Sequence, residues 1–126
     1  MNKKVLILGS VFGFFAVIIG AFAAHGLKPK ISLESMQSFE TGVRYQMYHA
    51  LLLLLVGNLD SVSAKAKKII FYLIGFGVLL FSGSIFCLAT NSLSNFNFGI
   101  IGFITPIGGL LLILSWLVLF IEFVKK

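Results

Sequence analysis

The stretch Val5–Ala24 contains no charged side chain, and its length matches the roughly 20 residues that carry a helix across a hydrocarbon core. Three more apolar runs follow: Val43–Leu59, Ile69–Ala89 and Phe96–Val124. Lipid offers no water to pair with a backbone N–H or C=O, so runs of this kind must close their hydrogen bonds internally, as helices. None alternates polar and apolar residues in the manner of a membrane β-strand. The pattern predicts an all-α, integral membrane four-helix bundle, one domain over residues 1–126. Its helices are expected at about 4–25, 33–59, 67–90 and 98–124, the last interrupted near Pro106.

Composition supports this solvent. Apolar residues make up 59% of the 126 and charged residues 11%, against about 25% charged in an average soluble domain. Too little charge is available to cover a water-facing surface, so most of the outside is expected to face lipid. Lys3, Lys4 and Ala21-Phe22-Ala23 also fit a secretory signal with a small-residue cleavage site, a rival reading of the first run.

The basic residues suggest an orientation. With four crossings, Lys3 and Lys4, then Lys65, Lys67 and Lys68, then Lys125 and Lys126 fall on one side; Lys28 and Lys30 fall on the other, with Arg44 near the boundary. The positive-inside bias then makes both termini cytoplasmic. The formal charge of +6 is explained by topology and anionic lipid rather than by nucleic acid. The bilayer is the expected partner, together with a homo-oligomer or a larger membrane complex. The single cysteine, Cys87, lies deep in the third run and reads as a small apolar packing residue, not a metal ligand. No cofactor is implied.

Thirteen glycines stand in this apolar chain. Lipid gives no hydrophobic drive to bring helices together, so small residues that let backbones approach are the expected means. Gly9, Gly13 and Gly20 share a side of the first helix; Gly83 sits on the third; Gly108 and Gly109 follow Pro106 on the fourth. Pro106 either kinks that helix or stands in its first turn, the kinked or two-part form being preferred. Trp116 reads as an interface anchor.

Hydrogen-bonding groups concentrate in Phe39–Leu55. Ser32 is a suitable N-cap, with Glu34 in the first turn. Glu40 and Arg44 are one turn apart in the favoured order for an ion pair, as are Tyr45 and His49; Gln46 lies between them, and His25 ends the first helix on the same side of the membrane. Facing lipid, such groups cost a few kcal/mol each, so all six are expected to converge on one level near the outer boundary, face inward and satisfy one another.

The segments GAFAAHGLK (Gly20–Lys28), FETGVRYQMYHAL (Phe39–Leu51), SGSIFCL (Ser82–Leu88) and TPIGGLLLILSW (Thr105–Trp116) occur in this order. Together they resemble the YgdD/YwdK-like family of small bacterial inner-membrane proteins, related to the eukaryotic transmembrane protein 256 group. Ala23-Ala24 is a minor departure, a glycine being expected there first. The resemblance implies a four-helix, multi-pass protein of the bacterial inner membrane, of unknown function and without catalytic residues to transfer. Small size and glycine-rich helix faces point to a non-enzymatic accessory or stabilising subunit, or a homo-oligomer. The alternatives are a small transporter or channel using the polar cluster, and a haem- or quinone-binding protein using His25 and His49.

Overall fold

The computed structural model describes residues 2–93 and 99–125. The expected start of the fourth helix near 98, and Lys126, lie outside the described residues. Four helices carry the fold: α1 (Asn2–Phe22), α2 (Leu33–Asn58), α3 (Ala64–Ala89) and α4 (Ile104–Val124). Among the described residues there is no strand.

Local chemistry sets the helix ends. Ser32 caps α2, its Oγ accepting from the Ser35 N–H at 3.0 Å. Ser63 caps α3 in the same way, accepting from the Ala66 N–H at 3.1 Å, so α3 begins at Ala64, ahead of the expected 67. A five-residue π-helical turn, Ala23–Leu27, extends α1, and the Lys28 N–H bonds the Ala23 carbonyl at 3.0 Å. Pro106 occupies the first turn of α4, which follows a short 3₁₀ segment, Gly99–Phe103. The first four N–H groups of a helix have no acceptor within it, so a proline there removes no helical bond. Pro106 thus stands in the first turn of the α-helix, just after its junction with the 3₁₀ segment.

The packing is two antiparallel hairpins, α1–α2 and α3–α4, joined through α2 and α3. The buried residues of α4 (Gly108, Leu112, Ser115, Leu119, Glu122) form one stripe at helical spacing, and among the described residues the helix whose backbone approaches it closely is α3. The two hairpins therefore leave two loose flanks. On one, α1 meets α3 at only a few points; on the other, no Cα pair of α2 and α4 comes within 8 Å among the described residues.

Glycine makes the tight seams. A Cβ on Gly9 would stand 2.9 Å from the Ala50 carbonyl oxygen, and one on Gly57 would stand 2.7 Å from Leu6 Cδ2. On the other hairpin, a Cβ on Gly108 would collide with the Phe81 backbone nitrogen, and one on Gly77 would stand 2.7 Å from Leu112 Cδ2. Gly20 lies against Val43, Gly109 against the Phe81 ring, and Gly13 is in ordinary contact with Ala50. Gly83, expected at a packing face, has nothing within 4 Å of its Cβ position; it lies outside the contact stripe.

Helices α1, α3 and α4 are long and apolar enough to cross a membrane. Helix α2 has the length but a more polar first half. The Lys67 ammonium meets the Asn2 side chain at 2.9 Å, so α1 and α3 start level. Helix α2, which connects them, must therefore return through the same thickness.

Candidate functional site

Helix α2 carries the polar side chains, and its phase divides them into two groups. Gln46 and His49 are buried with Met36, Phe39, Gly42, Ala50 and Leu53 along one side. Glu40 and Arg44 lie on the other. They pair at 3.9 Å, and both side chains are 52% exposed. Arg44 also donates from Nη2 to Thr41 Oγ1 at 3.0 Å. Tyr45 is exposed, with its ring 5.2 Å from that of Phe81, and His25 is exposed in the π-helical turn. The inward convergence expected of all six thus holds for Gln46 and His49 alone. Glu40, Arg44 and Tyr45 stand at the margin because the period of α2 turns them there, and His25 because it lies in the turn that ends α1.

Each inward group makes a bond. The Gln46 amide donates from Nε2 to the Phe12 carbonyl of α1 at 2.9 Å. The Ser82 hydroxyl of α3 donates to the Gly42 carbonyl of α2 at 2.7 Å. Ser84 of α3 and Thr105 of α4 share a hydrogen bond at 2.6 Å.

His49 bridges the loose flank between α2 and α4. Its Nδ1 is 2.7 Å from the Tyr45 carbonyl oxygen, and its Nε2 is 3.1 Å from Trp116 Nε1. A carbonyl only accepts and an indole N–H only donates. The ring proton therefore sits on Nδ1, and Nε2 offers its lone pair to Trp116. Both ring nitrogens of the neutral imidazole are thus engaged, Nδ1 donating to the Tyr45 carbonyl and Nε2 accepting from Trp116. Trp116 stands midway along α4, not at an end of the helix as an interface anchor would.

The packing register separates the two histidines. Gly20 lies against Val43, and Gly9 against Ala50 and Leu53, which sets His25 level with the region just before Phe39. His49 is then about 15 Å further along α2, at 1.5 Å per residue. One haem or metal ion does not reach both from these positions.

A second polar group lies at the end where the chain starts. Buried Lys67 holds Asn2, and the carboxylate of buried Glu122 accepts from the Ser63 N–H at 2.9 Å. Glu122 thus serves the start of α3 from the last turn of α4. Sequence reading passed over both residues, taking Lys67 for a topological charge. The available signal was that Glu122 is the single charge between Phe96 and Val124, at the helix end where an acid is unfavourable.

These features define a small polytopic α-helical membrane protein whose inward polar side chains lie between its helices. The chain belongs to the family described as "Protein of unknown function (DUF423)", whose profile matches residues 19–109. It is 42% identical to a UPF0382 membrane protein of Staphylococcus epidermidis, over 98% of this chain and 97% of the relative. It is 41% identical to the UPF0382 membrane protein YwdK of Bacillus subtilis, over 98% of each. A UPF0382 membrane protein of Haemophilus influenzae is 39% identical over 93% of this chain and 90% of the relative. No solved structure matches. The resemblance carried by the four sequence segments is thereby established, and with it a small membrane protein of unknown function.

Proposed function

We propose that the chain is a non-enzymatic module of the bacterial cytoplasmic membrane, with both termini cytoplasmic, acting as a stabilising subunit through association in the plane of the bilayer, with itself or within a larger complex. One observation carries this reading: His49, the best-placed candidate for chemistry, has both ring nitrogens engaged in holding α2 to its own carbonyl and to α4. Buried polar groups do occur at several depths, as a conduction path requires. Gln46, Ser82 and Ser84 are each bonded to a neighbouring helix, however, which favours a structural use over a path.

The reading is tested by extracting the protein with its surrounding lipid into polymer-bounded discs and measuring mass. An assembly of fixed stoichiometry is expected, and a chain recovered only as a monomer overturns the proposal. Orientation is tested with Cys87→Ser as background and single cysteines at Lys65 and Lys28. A membrane-impermeant maleimide applied to spheroplasts should label the second and spare the first.

A further inference from the structure

The loose flank between α1 and α3 holds a wholly apolar cleft of about 200 Å³, lined by Leu8, Phe12, Phe71, Tyr72, Phe76 and Leu79 with Gly75 at its floor. From the charge placed directly above this cleft, we propose that it is a binding site for one anionic phospholipid, with the phosphate held by Lys4 and Lys68 and an acyl chain in the cleft. This goes beyond the accessory role and does not depend on it.

The helical period links the lysines to the cleft. Lys4, Leu8 and Phe12 are spaced by four on α1; Lys68, Tyr72 and Phe76 are spaced by four on α3. Residues so spaced share a helix face. Each lysine therefore stands one turn beyond the cleft, on the face that lines it, and both are exposed. The Lys67–Asn2 bond sets the two helix starts side by side.

Positive charge outweighs negative at this end: Lys3, Lys4, Lys65, Lys67 and Lys68 stand against Asp60 in the α2–α3 link and Glu122 in the last turn of α4. The first turns of α1 and α3 contain no acid, and a helix N-terminus favours an anion and disfavours a lysine. Two such ends, each bearing lysines, concentrate positive potential where a phosphate is stabilised. Of the two acids, Glu122 is engaged on the Ser63 N–H. The Glu40–Arg44 ion pair lies on another helix. A zwitterionic headgroup would bring its own cation to this basic corner, whereas an anionic one neutralises it. Gly75 keeps the floor open: its Cβ position is already 3.4 Å from Leu8 Cδ2, so a larger side chain there fills the cleft.

The test is native mass spectrometry of the full chain in micelles, titrated with phosphatidylglycerol and with phosphatidylcholine of the same acyl chains. One phosphatidylglycerol per chain should be retained in preference. Lys4→Gln and Lys68→Gln should each weaken retention about fivefold, the factor that corresponds to roughly 1 kcal/mol per lysine near an anionic surface. Gly75→Leu should also weaken it, although no charge changes. Lys28→Gln/Lys30→Gln, at the opposite end, should leave it unaltered. Equal retention of the two lipids, equal loss from the Lys28/Lys30 change, or full retention by Gly75→Leu each overturns the site. Trp116 is the single tryptophan and lies on the other flank, so unchanged emission verifies the fold of every variant. Should Gly75→Leu shift that emission, Tyr72→Ala removes a wall of the cleft in its place, with the same loss expected and full retention again contradicting the site.

Discussion

The two loose flanks are built alike and closed differently. Both arise because two hairpins meet through α2 and α3, leaving α1 beside α3 and α4 beside α2. The α2–α4 flank is crossed halfway along by the His49–Trp116 bond. The α1–α3 flank carries its described hydrogen bond at its start, between Lys67 and Asn2, and opens below into an aromatic cleft. Lipid supplies no hydrophobic force to press helices together. A flank without glycine-mediated backbone contact is then held by whatever directed bond spans it, and where none does, a space remains for a lipid.

Variants that separate these contributions should rank in a definite order. The largest effect is expected where α4 joins α3. Gly108→Ala places a methyl group against the backbone of Leu80 and Phe81, which no side-chain rotation relieves, so a loss of about 3 kcal/mol is expected in thermal or steric-trap unfolding. Because α4 carries Trp116, the same change should red-shift the tryptophan emission. Gly83→Ala, with empty space around it, should be neutral or stabilising by up to about 1 kcal/mol. If the two substitutions behave alike, the seam is not where the structure puts it.

A middle-sized effect is expected from Gln46→Leu, which removes the bond from α2 to the Phe12 carbonyl. Interhelical hydrogen bonds in membranes contribute about 0.6 kcal/mol on average and up to about 1.7. Unfolding free energy should fall within that range, with Trp116 emission unchanged because the α2–α4 flank is not involved. A change in that emission would mean that the two flanks are coupled.

The smallest effect is expected from Arg44→Leu and from Glu40→Gln/Arg44→Leu. Both partners are half exposed, and exposed ion pairs contribute between about 0 and 1 kcal/mol. The single and double variants should therefore differ by less than about 0.5 kcal/mol in detergent. A severe loss in the single variant, recovered by the double, would show that the pair is covered by protein.

Much of the architecture was legible in the sequence because the solvent dictates it. Apolar runs of spanning length must be helices, and Ser32 announced the start of α2 through the ordinary preference for a capping hydroxyl. The division of the polar cluster was also readable in principle. Glu40 and Arg44 fall on the side of α2 away from Gln46 when the helix is phased by Met36, Phe39 and Gly42. What misled was the assumption that every polar group near lipid must turn inward; an acid and an arginine one turn apart can satisfy each other at the margin. The His49–Trp116 bond was not legible. Its partners are 67 residues apart in sequence, and tryptophan in a membrane helix ordinarily signals an interface. Glu122 was hidden for a different reason: it bonds the backbone N–H of Ser63, a contact no side-chain pattern displays.

The most direct measurement is a double-mutant cycle on His49→Phe and Trp116→Phe, read as unfolding free energy in lipid discs. If the inward polar groups of α2 serve to hold the helices, the two residues should show a coupling of about 0.6 to 1.7 kcal/mol. Strictly additive losses would mean that no bond joins them and that His49 is free for some other use.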